Sequence, residues 1–278
     1  MLLLVGCAHA PPPAPDVQRI AYASVDPLQF GELRLPHGDG PFPLAIVIHG
    51  GCWLANSVSL RSTNRLASAL RDAGIATWNI EYRRVGDAGG GWPGTFRDVS
   101  AGTDFARTLA ERYPLDLSRV IVVGHSAGAH LALWVAARSK LPSDSALYSE
   151  SPLELRGVVA LAGPGDLRTL RLADSICGPG TLETLLGGTL ATVPQHWAEG
   201  SPAALLPLGV PQTLIVGTSD RVIPSRIVEA YERAAQAAGD RAELVEVAGA
   251  DHMQLIAPGS QAWPTVLANV LALVSARH

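Results

Sequence analysis

Strand-like runs recur along the chain at residues 44–48, 120–123, 158–162, 213–217 and 242–247, each bounded by glycine, proline or polar residues. The first three are continuously apolar, the pattern of strands covered on both faces. Helical spacing fills the intervals. Leu66, Leu70 and Ala73 share one face of a segment that stops at Gly74, and residues 97–113 form a second helix ended by Pro114. Residues 225–239 form a third, with Ile227, Tyr231, Ala234 and Ala238 as its inward stripe. The last helix has Pro264 near its start and Val266, Leu267, Val270, Leu271 and Val274 facing inward. This alternation predicts an α/β fold, a mainly parallel central sheet with helices on both faces. Residues 166–207 break the alternation with Cys177-Gly178-Pro179-Gly180, Gly187-Gly188 and short helical pieces. No internal repeat is present.

The run at 120–123 leads into Gly124-His125-Ser126-Ala127-Gly128 and then the small-residue helical stretch 129–133. This is G-x-S-x-G between a buried strand and a helix, where the turn projects a serine hydroxyl from the sheet edge. The run at 44–48 leads into His49-Gly50-Gly51-Cys52-Trp53. Acyl transfer needs N–H donors fixed where a tetrahedral oxyanion forms, and a glycine-rich loop lets the backbone approach that closely. The expected donors are the N–H groups of Gly51, Cys52 and Ala127, with Gly50 able to replace one of the first two. An ordinary strand-end turn is the alternative for this loop.

A serine nucleophile needs a base, and the base an orienting carboxylate. Among eight histidines, His49 and His125 belong to the two motifs. His130 lies one helical turn past the serine and is expected against the sheet, while His9, His37 and His278 lie at the ends or in a turn. His196 falls in an irregular region as a surface or cap residue. His252 is the expected base, on a loop after the strand at 242–247. Asp220 ends the stretch 213–220, a strand running into a loop, and gives the chain order Ser, Asp, His expected for this elbow. Asp166 competes from one strand earlier, and Asp251 adjoins the base but should diverge from it.

With these residues in place, the chain resembles the α/β-hydrolases of the esterase group that carries an H-G-G-x-W loop. Bacterial acetyl/feruloyl esterase-like and kynurenine formamidase-like proteins share that loop. The matching pieces are His49 to Trp53, Glu81-Tyr82-Arg83-Arg84, Gly90-Gly91-Trp92-Pro93-Gly94, the elbow, Asp220 and His252. Cys52 departs from the small residue usual there; its N–H still donates, while its side chain narrows the acyl pocket. In this fold an insertion such as 166–207 commonly forms a lid, the alternative being a long connection with two surface helices. A lid would bring Trp197, Leu185 and Leu186 to the pocket. Trp53 and Trp92 are the nearer pocket candidates, or else aromatics that pack their own loops.

The resemblance implies a serine hydrolase that cleaves short acyl or sugar-linked esters by an acyl-enzyme route. An arylformamidase would use the same machinery, and the chain is too short for a prolyl-oligopeptidase with its propeller. A catalytically silent, lipid-tethered binding module is the reading from outside enzymology. Leu4-Val5-Gly6-Cys7 resembles a lipobox, and the proline-rich stretch that follows reads as a tether. Residues 1–15 are thus read as a lipoprotein signal remnant and tether with Cys7 as the lipidated residue, and 16–278 as the hydrolase domain. Met1 to Val5 is too short for a secretory core, so either the start codon lies upstream or the match is chance; the first is preferred. A cell-envelope location follows, with the cytoplasm as the alternative, which would favour the formamidase.

Of 278 residues, Lys and Arg number 21 and Asp and Glu 25, a net charge of −4 that gives no support for nucleic acid as a partner. Arg83 and Arg84 are expected to make structural salt bridges. Cys52 and Cys177 suggest neither a disulfide framework nor a metal site by their spacing. No phosphate loop or dinucleotide fingerprint is present, so no cofactor is expected. The partner is a small-molecule ester, and the oligomeric state is left open.

Overall fold

A computed structural model describes residues 17–170 and 176–276. Eight strands form one sheet in the order β1-β2-β4-β3-β5-β6-β7-β8. They are β1 Gln18–Ala21, β2 Phe30–Arg34, β3 Phe42–Ile48, β4 Ala76–Ile80, β5 Leu115–His125, β6 Gly157–Leu161, β7 Gln212–Gly217 and β8 Ala242–Val247. β1 and β2 pair antiparallel, as do β2 and β4, and every pairing from β4 through β8 is parallel. The mainly parallel sheet is the expected one. Its central strands are apolar without alternation because both faces are covered: 44–48 in β3, 120–123 in β5 and 158–161 in β6 are all buried. β8 lies at the edge, and its Glu243 and Glu246 keep an exposed rim charged.

The helices are α1 Asn64–Asp72, α2 Gly94–Asp104, α3 Ala106–Ala110, α4 Ala127–Ala137, α5 Thr181–Leu186, α6 Pro194–Gly200, α7 Ser225–Ala237 and α8 Trp263–Ser275. α1 ends as anticipated, with Gly74 at φ +90° and the Ile75 N–H returning 3.1 Å to the Leu70 carbonyl. The helix expected over 97–113 begins earlier and divides in two. Trp78 Nε1 donates 2.8 Å to the carbonyl of Gly102, the acceptor an unbroken helix offers to residue 106. α7 also corrects the sequence reading. Its buried face is Val228, Tyr231 and Ala235, while Ala234 and Ala238 are exposed. The Tyr231 hydroxyl, donating 2.8 Å to Gln212 Oε1 on β7, sets that rotation. In α8, Val266, Val270 and Val274 are buried as expected.

α4 is buried almost throughout. At its end the guanidinium of Arg138 makes two 2.8 Å bonds to Asp104, tying α4 to α2. The described residues of 166–207 include α5, α6 and two short 3₁₀ turns. His130 Nε2 and Trp134 Nε1, both on α4, donate 2.8 Å to the carbonyls of Gly200 and Glu199. These bonds fasten α6 to the body, and Leu185, Leu186 and Trp197 are buried in the core. His130 meets Trp53 and Phe96 edge-on besides its bond to α6. Arg83 pairs with Asp98 at 2.7 Å and Arg84 with Asp87 at 3.1 Å, as expected. No helix among the described residues is long and apolar enough to cross a membrane.

Candidate active site

Ser126, Asp220 and His252 all lie just past the C-terminal ends of parallel strands, β5, β7 and β8. Ser126 sits between β5 and α4 at φ 56°, ψ −122°, a conformation costly for a side chain with a Cβ. The flanking glycines make that turn possible. A Cβ on Gly124 would strike the Gly128 carbonyl, and one on Gly128 would strike the carbonyls of Ile48 and His49. The helix after the serine consequently lies directly against the end of β3. The Ser126 N–H donates 2.8 Å to the Leu161 carbonyl, so β6 holds the elbow from the other side.

His252 Nδ1 donates 2.7 Å to Asp220 Oδ2. The other carboxylate oxygen, Oδ1, accepts the N–H groups of Val222 and Ile223, each at 2.8 Å. Burial pushes the Asp220 carboxyl upward, but the His252 hydrogen bond and charge and the two N–H groups outweigh it and hold the group below its ordinary value. With Nδ1 engaged, Nε2 is the nitrogen of His252 left to act as base. His125 Nε2 donates 2.9 Å to the His252 carbonyl, and the two rings lie 4.5 Å apart. Since His125 directly precedes Ser126, this bond holds the loop of His252 beside the elbow. Burial, with the neighbouring charge of His252, lowers the His125 pKa to about 3, so its ring stays neutral. Asp166 caps a 3₁₀ turn and accepts from Ser201, and Asp251 accepts the N–H groups of Met253 and Gln254. The structure thus joins His252 to Asp220.

The glycine-rich loop runs directly against the elbow: a Cβ on Gly50 would lie 2.7 Å from the His125 carbonyl oxygen and 2.9 Å from Ser126 Cβ. Gly51, Cys52 and Trp53 follow at φ 102°, 56° and 57°, three successive left-handed residues. Among the described residues, none of the N–H groups of Gly51, Cys52 and Ala127 has a protein acceptor. That leaves them available to a ligand beside Ser126. Behind the loop, His49 Nε2 bonds Glu81 Oε1 at 2.7 Å and its Nδ1 donates 2.8 Å to the Gly50 carbonyl. Burial would raise the Glu81 pKa, but the His49 hydrogen bond and charge and the Leu60 N–H hold it low. Glu81 came to notice only through the stretch it heads; its bracing of His49 joins residues 32 apart, which no local pattern shows.

Cys52 and Cys177 form a disulfide with Cα atoms 5.5 Å apart, which their spacing in the sequence did not suggest. Their separation of 125 residues matches no spacing pattern, and only the fold brings them together. The bond joins the glycine-rich loop to the 166–207 connection. A cleft beside Ser126 is walled by Trp53, Leu170, Ile176, Val222, Ile223 and the disulfide. Trp53 is a wall of this cleft as expected, 2% exposed. Trp92 is not: it stacks on His196 at 4.2 Å and meets Phe96 edge-on. His196 is likewise a packing residue, its Nδ1 donating 2.8 Å to the Leu186 carbonyl. Trp197, Leu185 and Leu186 do not reach the cleft. Cys7 lies outside the described residues, and no cluster of His, Cys, Asp and Glu among the described residues could hold a metal.

Comparison with known proteins finds similarity to several esterases. The chain is 26% identical over 262 residues to Esterase LipC of Mycobacterium tuberculosis, covering 92% of this chain and 64% of that protein. It is 27% identical over 240 residues to the isoprenylcysteine alpha-carbonyl methylesterase ICME of Arabidopsis thaliana, covering 81% and 53%. This chain therefore spans about half to two-thirds of the length of these relatives. A truncated carbohydrate esterase from gut microbiota superposes with a TM-score of 0.76 at 21% identity, over 93% of this chain and 95% of that one, which shows the α/β-hydrolase fold. The family model BD-FAE matches residues 32–233, from β2 through most of α7 and including the loop, the elbow and Asp220; the chain belongs to the BD-FAE family.

Proposed function

We propose that this chain hydrolyses carboxylic esters of short acyl groups, sugar-linked esters among them, through an acyl-enzyme on Ser126. The observation that carries this reading is the 2.7 Å bond from His252 to Asp220 beside a serine held in a strained elbow. His252 Nε2 takes the hydroxyl proton as the oxygen attacks the ester carbonyl, and Asp220 stabilises the resulting imidazolium. The N–H groups of Gly51, Cys52 and Ala127 hold the developing oxyanion. His252 then gives its proton to the leaving alcohol, and water repeats the two steps to release the acid. The esterase names of the relatives support ester chemistry, and the gut carbohydrate esterase supports a sugar-linked alcohol.

The test is kcat/KM for an aryl acetate and for N-formylkynurenine, side by side, with Ser126→Ala as blank and fluorophosphonate labelling of both proteins. The acetate is expected to be strongly preferred, and only the wild type should label. A preference for the formamide would replace the ester reading, and an unlabelled wild type would point to a silent binding module.

The disulfide also supports an oxidising compartment, since such bonds persist outside the reducing cytosol. That agrees with a lipid anchor on Cys7 and an envelope location. In cells expressing the protein, radiolabelled palmitate is expected to enter the wild type and not Cys7→Ala; equal labelling of both removes the anchor.

A further inference from the structure

We propose that the Cys52–Cys177 disulfide is the specificity wall of the acyl pocket and restricts this enzyme to short acyl chains. The inference rests on the ester-hydrolase reading above and adds to it which part of the substrate the cleft takes and what limits its length.

The cleft beside Ser126 is narrow: the centres of water-sized spheres have about 20 Å³ within it. Its walls are apolar side chains and the disulfide itself, so it suits a hydrocarbon acyl tail and not a hydroxyl-rich alcohol. The described residues of its walls are held in place. Cys52 is fixed in its left-handed conformation between Gly51 and Trp53, whose indole is buried. Opposite, Val222 and Ile223 are held by their N–H bonds to Asp220 Oδ1. Leu170 is buried as well. Ile176 and Cys177 also line it, and the covalent bond to Cys52 anchors Cys177 to the loop. An acyl chain that reaches this side meets Cys177, which the bond holds to Cys52.

The test is kcat/KM for p-nitrophenyl acetate, butyrate, hexanoate and octanoate, each with wild type and Cys177→Ala. The wild type is expected to lose efficiency as the chain lengthens. In Cys177→Ala the hexanoate-to-acetate ratio should rise at least roughly tenfold, mainly through KM, since a buried methylene is worth about fourfold in binding. Should that variant fail to fold, two further measurements carry the test. One is the folded wild type reduced with a phosphine, which is oxidised with an oxygen from water as the disulfide gains two electrons and two protons. The other is Leu170→Ala, which widens the same cleft with the disulfide intact. Both are expected to raise the ratio. If kcat falls equally for every ester while the ratio stays constant, the bond only braces the loop and the proposal is overturned. A wild type that already prefers octanoate overturns it too. A wild type inactive on all four esters and unlabelled by fluorophosphonate would instead refute the ester-hydrolase reading itself.

Discussion

Each oxygen of Asp220 has a different task, and that division makes its replacement informative. Oδ1 accepts the N–H groups of Val222 and Ile223 while Oδ2 accepts from His252 Nδ1. In Asp220→Asn the amide oxygen must take the place of Oδ1, because two N–H donors face it. The amide NH₂ then faces His252 Nδ1, which must become an acceptor, and the ring proton moves to Nε2, where it blocks the serine. The expected result is a fall in kcat of about 10⁴ on an aryl acetate with the folded state retained. A loss of less than tenfold would show that His252 is oriented by something else. His252 and Asp220 were picked out in the sequence because each lies on a loop just after a strand run, and the order along the chain matched the elbow. His125 and Cys177 were not legible in their actual roles. One bonds a carbonyl 127 residues away and the other a sulfur 125 residues away, and no local pattern encodes a partner at that range.

At the scale of elements, the elbow depends on β5 and α4 meeting β3 without side chains between them. A Cβ on Gly128 would lie against the carbonyls of Ile48, at the end of β3, and of His49, at the start of the loop. Gly128→Ala is therefore expected to displace α4 and lose both stability, by upwards of about 1–3 kcal/mol, and turnover. Gly74→Ala is the informative contrast. Nothing lies within 4 Å of its added Cβ, so only the left-handed φ of +90° opposes it. It should cost about 1–2 kcal/mol and leave kcat/KM intact. Urea unfolding and initial rates on both variants check the pair; equal activity loss in the two would remove the distinction. Strand runs and the ends of α1 and α8 were readable because continuous apolarity, a terminal glycine and an initial proline are local signals. The division between α2 and α3 and the rotation of α7 were not. The Trp78 indole and the Tyr231 hydroxyl decide them, and each hydrogen bond reaches a different element.

For the whole molecule, a sheet covered on both faces buries histidines that the unfolded chain would expose to water. Burial lowers the pKa of His125 to about 3 and that of His130 to about 4, from an ordinary 6.5. Below pH 6.5 the unfolded chain binds protons that the folded protein refuses until the pH has dropped through about 4 and then 3. Stability must therefore decline on acidification across that window, by about 1.4 kcal/mol per pH unit for each histidine. Glu81 and Asp220 act in the same direction but lower down. Their folded pKa values are depressed, so the stability they contribute is complete above the ordinary carboxylate range and is lost only as pH falls through the folded values. The decline between pH 6.5 and 4.5 accordingly belongs to the buried histidines. Urea midpoints measured from pH 7 to pH 5 should fall steadily, and His130→Gln should reduce the slope by about half. Its amide NH₂ can keep the bond to the Gly200 carbonyl without titrating. Stability that stays flat from pH 7 to 5 would mean that His125 and His130 take up protons within the fold, and the tight seams between α4, α6 and the loop of His252 would have to open to admit them.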